Sequence, residues 1–293
     1  MNNWSLHNWG QEAILDRADD ARTAERLAEL WADPRARLVE VDWEGQFRGD
    51  REAGRIEPVD TTGEYDEQRH VFLGLLEGVP YFAVTTILDT PTVAIRKLLG
   101  RAEGGELEVI TSTAAILNWH RSGGYCVSCG KLTQRIRGGY ARICPNCDWL
   151  EFPRTDPAVI VSIIDDDDRI LLAHQGTWDE GRYSVLAGFV EAGQSFEQTC
   201  FREVLEESGI HLREVKYMGS QPWPFPRSIM IGFEARAATT EIKVDGEEIV
   251  HAAWFTRDEL ARAVEAGTVK LPFRGSIAAA LIDRWRYPAA SAR

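Results

Sequence analysis

The stretch Gly188-Phe189-Val190-Glu191-Ala192-Gly193-Gln194-Ser195-Phe196-Glu197-Gln198-Thr199-Cys200-Phe201-Arg202-Glu203-Val204-Leu205-Glu206-Glu207-Ser208-Gly209-Ile210 decides how the chain is read. It is a glycine-bearing loop followed by a short helix. Ser195, with Gln198 three residues on, is a capping-box signal for the helix start. Gly209 stands where a helix end favours left-handed geometry. Between them, Glu203 and Glu207 share one helix face, with Glu206 beside Glu203. Three acids on one turn repel one another. A divalent cation over that face offsets the repulsion. Carboxylate oxygens suit Mg²⁺ or Mn²⁺, which bind through a few carboxylates and the substrate's phosphates. A solvated acidic face is the plainer reading of any Glu cluster. The glycine loop and Arg202-Glu203 at this spacing turn the reading toward a metal.

Working outward, Tyr183 to Ala187 reads as a strand running into the loop. Further upstream, Ala158 to Ile164 is a buried-strand run and Ile170 to Ala173 its partner. Asp165 to Asp168 read as the polar turn between them rather than as a metal site. Cys126 and Cys129, then Cys144 and Cys147, form two C-x2-C knuckles with 14 residues between them, close to zinc-ribbon spacing. Four thiolates suit tetrahedral Zn²⁺, and with every position filled by protein the metal is expected to be structural. A redox dithiol pair or a nucleic-acid knuckle is the alternative, the latter drawing on a local basic strip of Lys131, Arg135, Arg137 and Arg142. Cys200, within the helix, reads as a small buried core residue.

Downstream, Ser220-Gln221-Pro222-Trp223-Pro224-Phe225-Pro226 interleaves prolines with aromatics. Proline fixes φ and withholds a ladder donor, so this is expected to be a stiff non-strand segment that could present Trp223 and Phe225 for flat stacking. Ile229 to Ala235 reads as a strand. Asp245 to Glu248 precede an apolar run ending at Trp254-Phe255, and 257–266 and 276–286 read as closing helices.

The decisive stretch resembles the Nudix box, G-x5-E-x7-R-E-U-x-E-E-x-G-U with U aliphatic. Gly188, Arg202, Glu203, Val204, Glu206, Glu207, Gly209 and Ile210 fall on its places. Gln194 replaces the pattern's first Glu; an amide there can still accept a hydrogen bond from Arg202, while the lost charge points to lower efficiency. Ser220 to Pro226 matches the SQPWPFP signature of the NADH pyrophosphatases (NAD-capped RNA hydrolases), and with the four-Cys ribbon the resemblance covers roughly residues 121 to 288.

The resemblance implies hydrolysis of the pyrophosphate of NAD(H) to AMP and nicotinamide mononucleotide, or removal of NAD caps from RNA. It implies Mg²⁺ or Mn²⁺ on the Ala187 carbonyl, Glu203, Glu207 and Glu248, with Glu206 or Glu207 orienting or deprotonating water. Dinucleotide contacts are implied at Phe152, Phe189, Gln221, Pro222, Trp223, Pro224, Phe225, Pro226, Arg227, Ser228 and Ala278. It also implies a homodimer. A catalytically weakened nucleotide or RNA sensor, or a Nudix enzyme for another nucleoside diphosphate derivative such as ADP-ribose, are the competing readings.

The fold class expected is α+β. An N-terminal α+β domain (1–120), for which the resemblance implies a role as dimerisation scaffold, is expected to be followed by a zinc ribbon (121–152), a Nudix α/β/α sandwich (153–288) and a tail (289–293). Val71 to Leu76 and Tyr81 to Val84 read as a hairpin about Glu77 to Pro80, and 93–99 and 114–120 as helices. Composition is ordinary for a globular protein, with 44% hydrophobic and 27% charged residues. A net charge of −13 argues against broad non-specific nucleic-acid binding. No apolar run reaches the roughly 18 residues of a membrane span, and the start of the chain lacks a leader pattern, so a cytoplasmic protein is expected.

Overall fold

Successive side chains of a strand point to opposite faces of its sheet, and in the run Asp156–Ile164 (β1) both sets are apolar. Val159, Val161 and Ile163 pack into one core, whereas Ile160 and Ile164 pack into another. A strand buried on both faces reads as a continuous hydrophobic run, which is why this segment was legible. The computed structural model describes residues 10–288; the expected tail 289–293 lies outside the described residues, as do residues 1–9.

β1 is followed by β2 (Ile170–Gln175), β3 (Leu186–Phe189), helix α1 (Phe196–Ser208), β4 (Leu212–Trp223), β5 (Ser228–Ala237), β6 (Ile249–Phe255), α2 (Arg257–Glu265) and α3 (Ile277–Arg286). The sheet order is β4-β5-β1-β2-β6, with β3 also pairing β1. β1 and β5 run parallel, with Val159 opposite Ile231, and the other registered pairs are antiparallel. Cys200 and Val204 of α1 fill the core on one face; Leu260 of α2 and Ile277, Leu281 and Trp285 of α3 fill it on the other. The result is the expected α/β/α sandwich. Each fully buried Val, Leu or Ile contributes about 1.5–3 kcal/mol.

Two strand expectations are corrected. The strand entering the loop begins at Leu186 and runs through Phe189, while Ser184 and Arg182 make only isolated bridges, to Ala173 and Lys270. β2 holds the far end of β1, so β3 pairs with the near half, Val161 opposite Leu186. The proline segment is not wholly outside the sheet, since β4 continues through Gln221, Pro222 and Trp223. β4 is an edge strand, the place where a sheet accommodates proline. The Asp turn is a charge-paired hairpin, as expected. Asp165 accepts from the Arg169 backbone at 2.8 Å, Asp166 pairs with Arg213, and Asp168 with Arg257.

By contact density the described chain divides into two units, one of 156–222 with 228 onward, the other of 11–155 with 223–227. In the second unit the hairpin Val71–Leu76 and Val79–Thr85 turns on Glu77 and Gly78 alone, both at positive φ. Val79 and Pro80 already pair with Leu76 and Leu75, so the turn is tighter than the sequence suggested. The helix expected at 114–120 starts at Gly104. Its early turns hide their character because Thr111 and Ser112 return their hydroxyls to the carbonyls of Leu107 and Glu108. Residues 92–99 are a short strand, Thr92–Ala94, and then a helix, Ile95–Leu99. In a three-stranded ribbon, Gln134–Ile136 and Ala141–Ile143 lie between the two knuckles and Leu150–Glu151 follows the second.

Candidate active site

α1 starts at the capping box read from the sequence: the Ser195 hydroxyl accepts from the Gln198 N–H at 3.1 Å, and the Gln198 side chain from the Ser195 N–H at 2.9 Å. It ends on Gly209 at φ 70°, whose N–H closes on the Leu205 carbonyl at 2.9 Å. Between these caps the acids part company. Glu207 is buried, 5% exposed, and its Oε2 has no hydrogen-bond partner. The Glu203 side chain is 14% exposed, and Glu206, 59% exposed, turns out to solvent.

The loop before the helix comes close to these carboxylates. A Cβ on Gly188 would stand 1.9 Å from the Glu203 carboxyl carbon, so only glycine lets the backbone after Ala187 lie against that group. Glu248, just before β6, adds a third carboxylate. Burial first, and then the charges of Glu248, Glu203, Asp245 and Glu206, push Glu207 up to about 8. Burial likewise raises Glu203, against the opposing pull of Arg202. A buried carboxylate oxygen with no donor, set among like charges, is an arrangement that a hard divalent cation completes. The donor set is all oxygen, so the residues fit such an ion.

Arg202 knits loop to helix. Its Nε donates to the Gln194 side-chain oxygen at 3.1 Å, and Nη2 donates to the Phe189 carbonyl at 2.9 Å. The same guanidinium pairs with Glu203 and with Glu206, each at 2.9 Å. Thr199 gives its hydroxyl to the same Gln194 oxygen at 3.2 Å. Gln194 therefore occupies the acceptor place of the expected acid.

The model for the NUDIX domain matches residues 154–272. The chain is 39% identical over 289 residues to the NAD-capped RNA hydrolase NudC of Mycobacterium bovis (strain BCG / Pasteur 1173P2), covering 92% of both proteins. This chain belongs to the NAD-capped RNA hydrolase family of Nudix proteins. It is also 38% identical over 210 residues to the NAD-capped RNA hydrolase NUDT12 of Homo sapiens, covering 68% of this chain and 45% of that protein. A crystal structure of a NUDIX hydrolase from Nitrosomonas europaea aligns at a TM-score of 0.41 and 20% identity, over 50% of this chain and 96% of that one. Nudix hydrolases use divalent metals, in keeping with the carboxylate set.

The residues that the Nudix resemblance offers for dinucleotide binding fall in different settings. Phe189 is 60% and Phe152 44% exposed. Gln221 is buried and its amide is committed to the chain, donating to the Gly275 carbonyl and accepting from the Ile277 N–H, each at 2.8 Å. Pro222 is half-buried, Ser228 is buried, and Ala278 is buried on α3. Within the second unit, Asn118 donates to the carbonyls of Pro224 and Pro226 at 3.1 and 2.8 Å. The Arg96 guanidinium sits 4.5 Å from the Phe225 ring centre and 6.0 Å from that of Trp223. These aromatics thus meet a cation of their own chain, beside a cleft of about 420 Å³. Arg227 follows them in the same segment.

The four knuckle sulfurs converge, all within 4.8 Å of one another. Cys126–Cys147, Cys129–Cys144 and Cys129–Cys147 are separated by 3.7, 3.4 and 3.5 Å. A thiolate tetrahedron at the usual Zn–S distance has edges of about 3.8 Å. Both knuckles repeat one turn: Gly130 N–H to Cys126 carbonyl and Asp148 N–H to Cys144 carbonyl, each 2.9 Å, with Gly130 and Asp148 at positive φ. The Lys131 backbone N–H lowers Cys129 to about 6. Cys147 rises to about 12, because the Trp149 N–H that favours its thiolate is outweighed by the neighbouring sulfurs. Four sulfurs this close do not all ionise without a cation among them. The cluster has the geometry to hold zinc.

The basic strip expected on the ribbon is largely consumed. Arg142 is buried on Thr133 and His120, Arg135 donates to the Arg69 carbonyl, and Arg137 pairs with Asp19. Two contributors had no sequence signal. Gln175 donates to the Glu248 carboxylate at 2.9 Å. Asp245 gathers the N–H groups of Glu247, Glu248 and Ile249 on its own carboxylate. Its Asp-Gly dipeptide marked a turn but gave no hint of what that turn holds.

Proposed function

We propose that this chain hydrolyses the pyrophosphate bond of NAD(H), free or as the 5′ cap of RNA, giving nicotinamide mononucleotide and AMP or a 5′-monophosphate RNA end. The observation that carries the reading is the buried Glu207 carboxylate, its Oε2 unpartnered, under the charge of Glu203 and Glu248. Glu203, Glu207, Glu248 and the Ala187 carbonyl would hold Mg²⁺ or Mn²⁺. Such ions, when bound, neutralise phosphate charge and acidify water.

The chain's own residues do the rest. Glu207 is the better candidate than Glu206 for taking the proton of the attacking water, since Glu206 is exposed and committed to Arg202. Arg202 fixes the loop that carries Ala187 and Phe189. The exposed Phe189 ring offers a face for a base or nicotinamide. Phe152, Gln221 through Ser228, and Ala278 are proposed to shape the dinucleotide site, Gln221 by tying β4 to the start of α3. Zn²⁺ on Cys126, Cys129, Cys144 and Cys147 would be structural. We also propose the division into scaffold, ribbon and Nudix domains, a homodimer, and a cytoplasmic location. Among the described residues, no helix is long and apolar enough to cross a membrane. The names of the relatives at 38–39% identity support the substrate class.

The test is chromatography of products from NADH and from NAD-capped RNA with Mn²⁺. Wild type should release reduced nicotinamide mononucleotide from NADH, or nicotinamide mononucleotide from the capped RNA, or both, and Glu207→Gln should do so more slowly by roughly 100-fold or more. Absence of product from both substrates with wild type would overturn the reading. The binder-only alternative gains nothing from Gln194, whose oxygen still receives Arg202.

A further inference from the structure

The Glu248 carboxylate is aimed by a device outside the box. β2 and β6 pair in register from Ile170 opposite Phe255 to His174 opposite His251, and then the register shifts so that Gln175 meets Ile249. Val250 is the extra residue, a bulge of the kind that re-aims side chains at the end of a ladder. Past it, the Gly176 N–H reaches the Glu248 carbonyl at 3.3 Å, and Asp245 gathers the backbone on the other side. Ala173 packs in the core beneath α1, and Gln175, two residues on along the same strand, projects to the same face. Its Nε2 donates to Glu248 Oε1 at 2.9 Å, the sole side-chain donor to that carboxylate among the described residues.

We infer that Gln175 is a positioning residue that presets Glu248 for the metal, an inference resting on the proposed place of Glu248 in the metal site. An uncharged donor suits this place. A lysine or arginine would neutralise the site a cation must enter, and an acid would add repulsion to the cluster of Glu203, Glu207 and Glu248. Partners that orient metal ligands are typically worth about 10–100-fold in metal affinity.

The experiment is Mn²⁺ titration of the zinc-loaded, full-length protein, with free Mn²⁺ followed by electron paramagnetic resonance. It compares wild type, Gln175→Met, Glu248→Gln and the double variant. Methionine keeps the side-chain length and removes the N–H. Gln175→Met should raise the Mn²⁺ Kd roughly tenfold, and should add little in the Glu248→Gln background. An unchanged Kd in Gln175→Met, with Glu248→Gln weakened, would overturn the positioning role and leave Glu248 in place. An equal loss in both backgrounds would also overturn it, since the amide would then act other than through Glu248. A Kd unaffected by Glu248→Gln would instead sink the underlying assignment. Should Gln175→Met fail to fold, Gln175→Asn withdraws the same N–H by one methylene and gives the same readout.

Discussion

Arg202 donates its Nε–H to the Gln194 side-chain oxygen at 3.1 Å, and Thr199 gives its hydroxyl to the same atom, so the loop of the Nudix box stays pinned to its helix without a carboxylate at that position. The missing charge and the missing contact are therefore separable. Gln194→Leu removes the acceptor and should lower kcat/KM for NADH by about tenfold or more, since a hydrogen bond accepted from a charged donor contributes about 1.5–3 kcal/mol. Gln194→Glu adds the second charge, turning a bond from a charged donor to a neutral amide into an ion pair, and should raise kcat/KM only a few-fold, because the geometry is already present. Steady-state kinetics at saturating Mn²⁺ decide it. A Gln194→Leu enzyme as active as wild type would show that the pin has no functional weight.

Glu207 predicts a trade between stability and function. Its folded value of about 8 lies above the ordinary 4.5, so the folded state holds a proton that the unfolded chain releases. Stability on this account is greatest below about 4.5, declines as pH rises through about 8, and is lowest above that. In zinc-loaded protein free of Mg²⁺ and Mn²⁺, Glu207→Gln should therefore be more stable than wild type at pH 8, by roughly 2–4 kcal/mol. The gap should narrow toward pH 5, and added Mn²⁺ should favour wild type. Urea unfolding at the two pH values measures this, and a variant less stable than wild type at pH 8 without Mn²⁺ would contradict it.

The parts of the site legible in the sequence are those made by neighbours in the chain. The Ser195–Gln198 cap, the Gly209 end, the shared face of Glu203 and Glu207 and the two knuckles all depend on spacings of a few residues. The Gln175–Glu248 bond depends on the register of β2 with β6 and on a bulge, and no local pattern encodes either. The resemblance offers Gln221 as a dinucleotide contact, while the tie that its amide closes to Gly275 and Ile277 spans more than fifty residues and has no local signature. Lys131, Arg135, Arg137 and Arg142 looked like one basic strip, yet Arg142 points inward, against His120 and Thr133. Charge counts along a sequence do not reveal which face of a strand a residue takes.

The ribbon should depend on its metal. Cys144 is fully buried and its sulfur lies 3.4 Å from that of Cys129, so Cys144→Ser removes a ligand from the centre of the cluster. Zinc content should fall from about one per chain toward zero, with loss of soluble folded protein, because such sites contribute about 10–16 kcal/mol of apparent binding energy. Metal analysis of the purified variant is the check. A Cys144→Ser protein that is zinc-free and as stable as wild type would rule out a structural metal.

His120 anchors the long helix Gly104–Ser122 to the ribbon, and its protonation state is set by its two partners. Arg142 can only donate, so its 3.0 Å contact makes Nδ1 the acceptor, and Nε2 carries the proton to the Gly139 carbonyl at 2.8 Å. Burial, then the charges of Arg135 and Arg142, lower the group to about 3, against an ordinary 6.5. Below pH 6.5 the unfolded chain takes up a proton that the folded state refuses. Stability is then full above 6.5 and declines toward pH 3, at up to about 1.4 kcal/mol per pH unit. His120→Gln removes the titration and gives up one hydrogen bond, so it should cost about 1 kcal/mol at pH 7.5 and flatten the slope between pH 7 and 5.5. Guanidinium unfolding of the zinc-loaded proteins across that range tests it. A variant whose stability falls with acid as steeply as wild type would show that the acid sensitivity arises elsewhere in the chain.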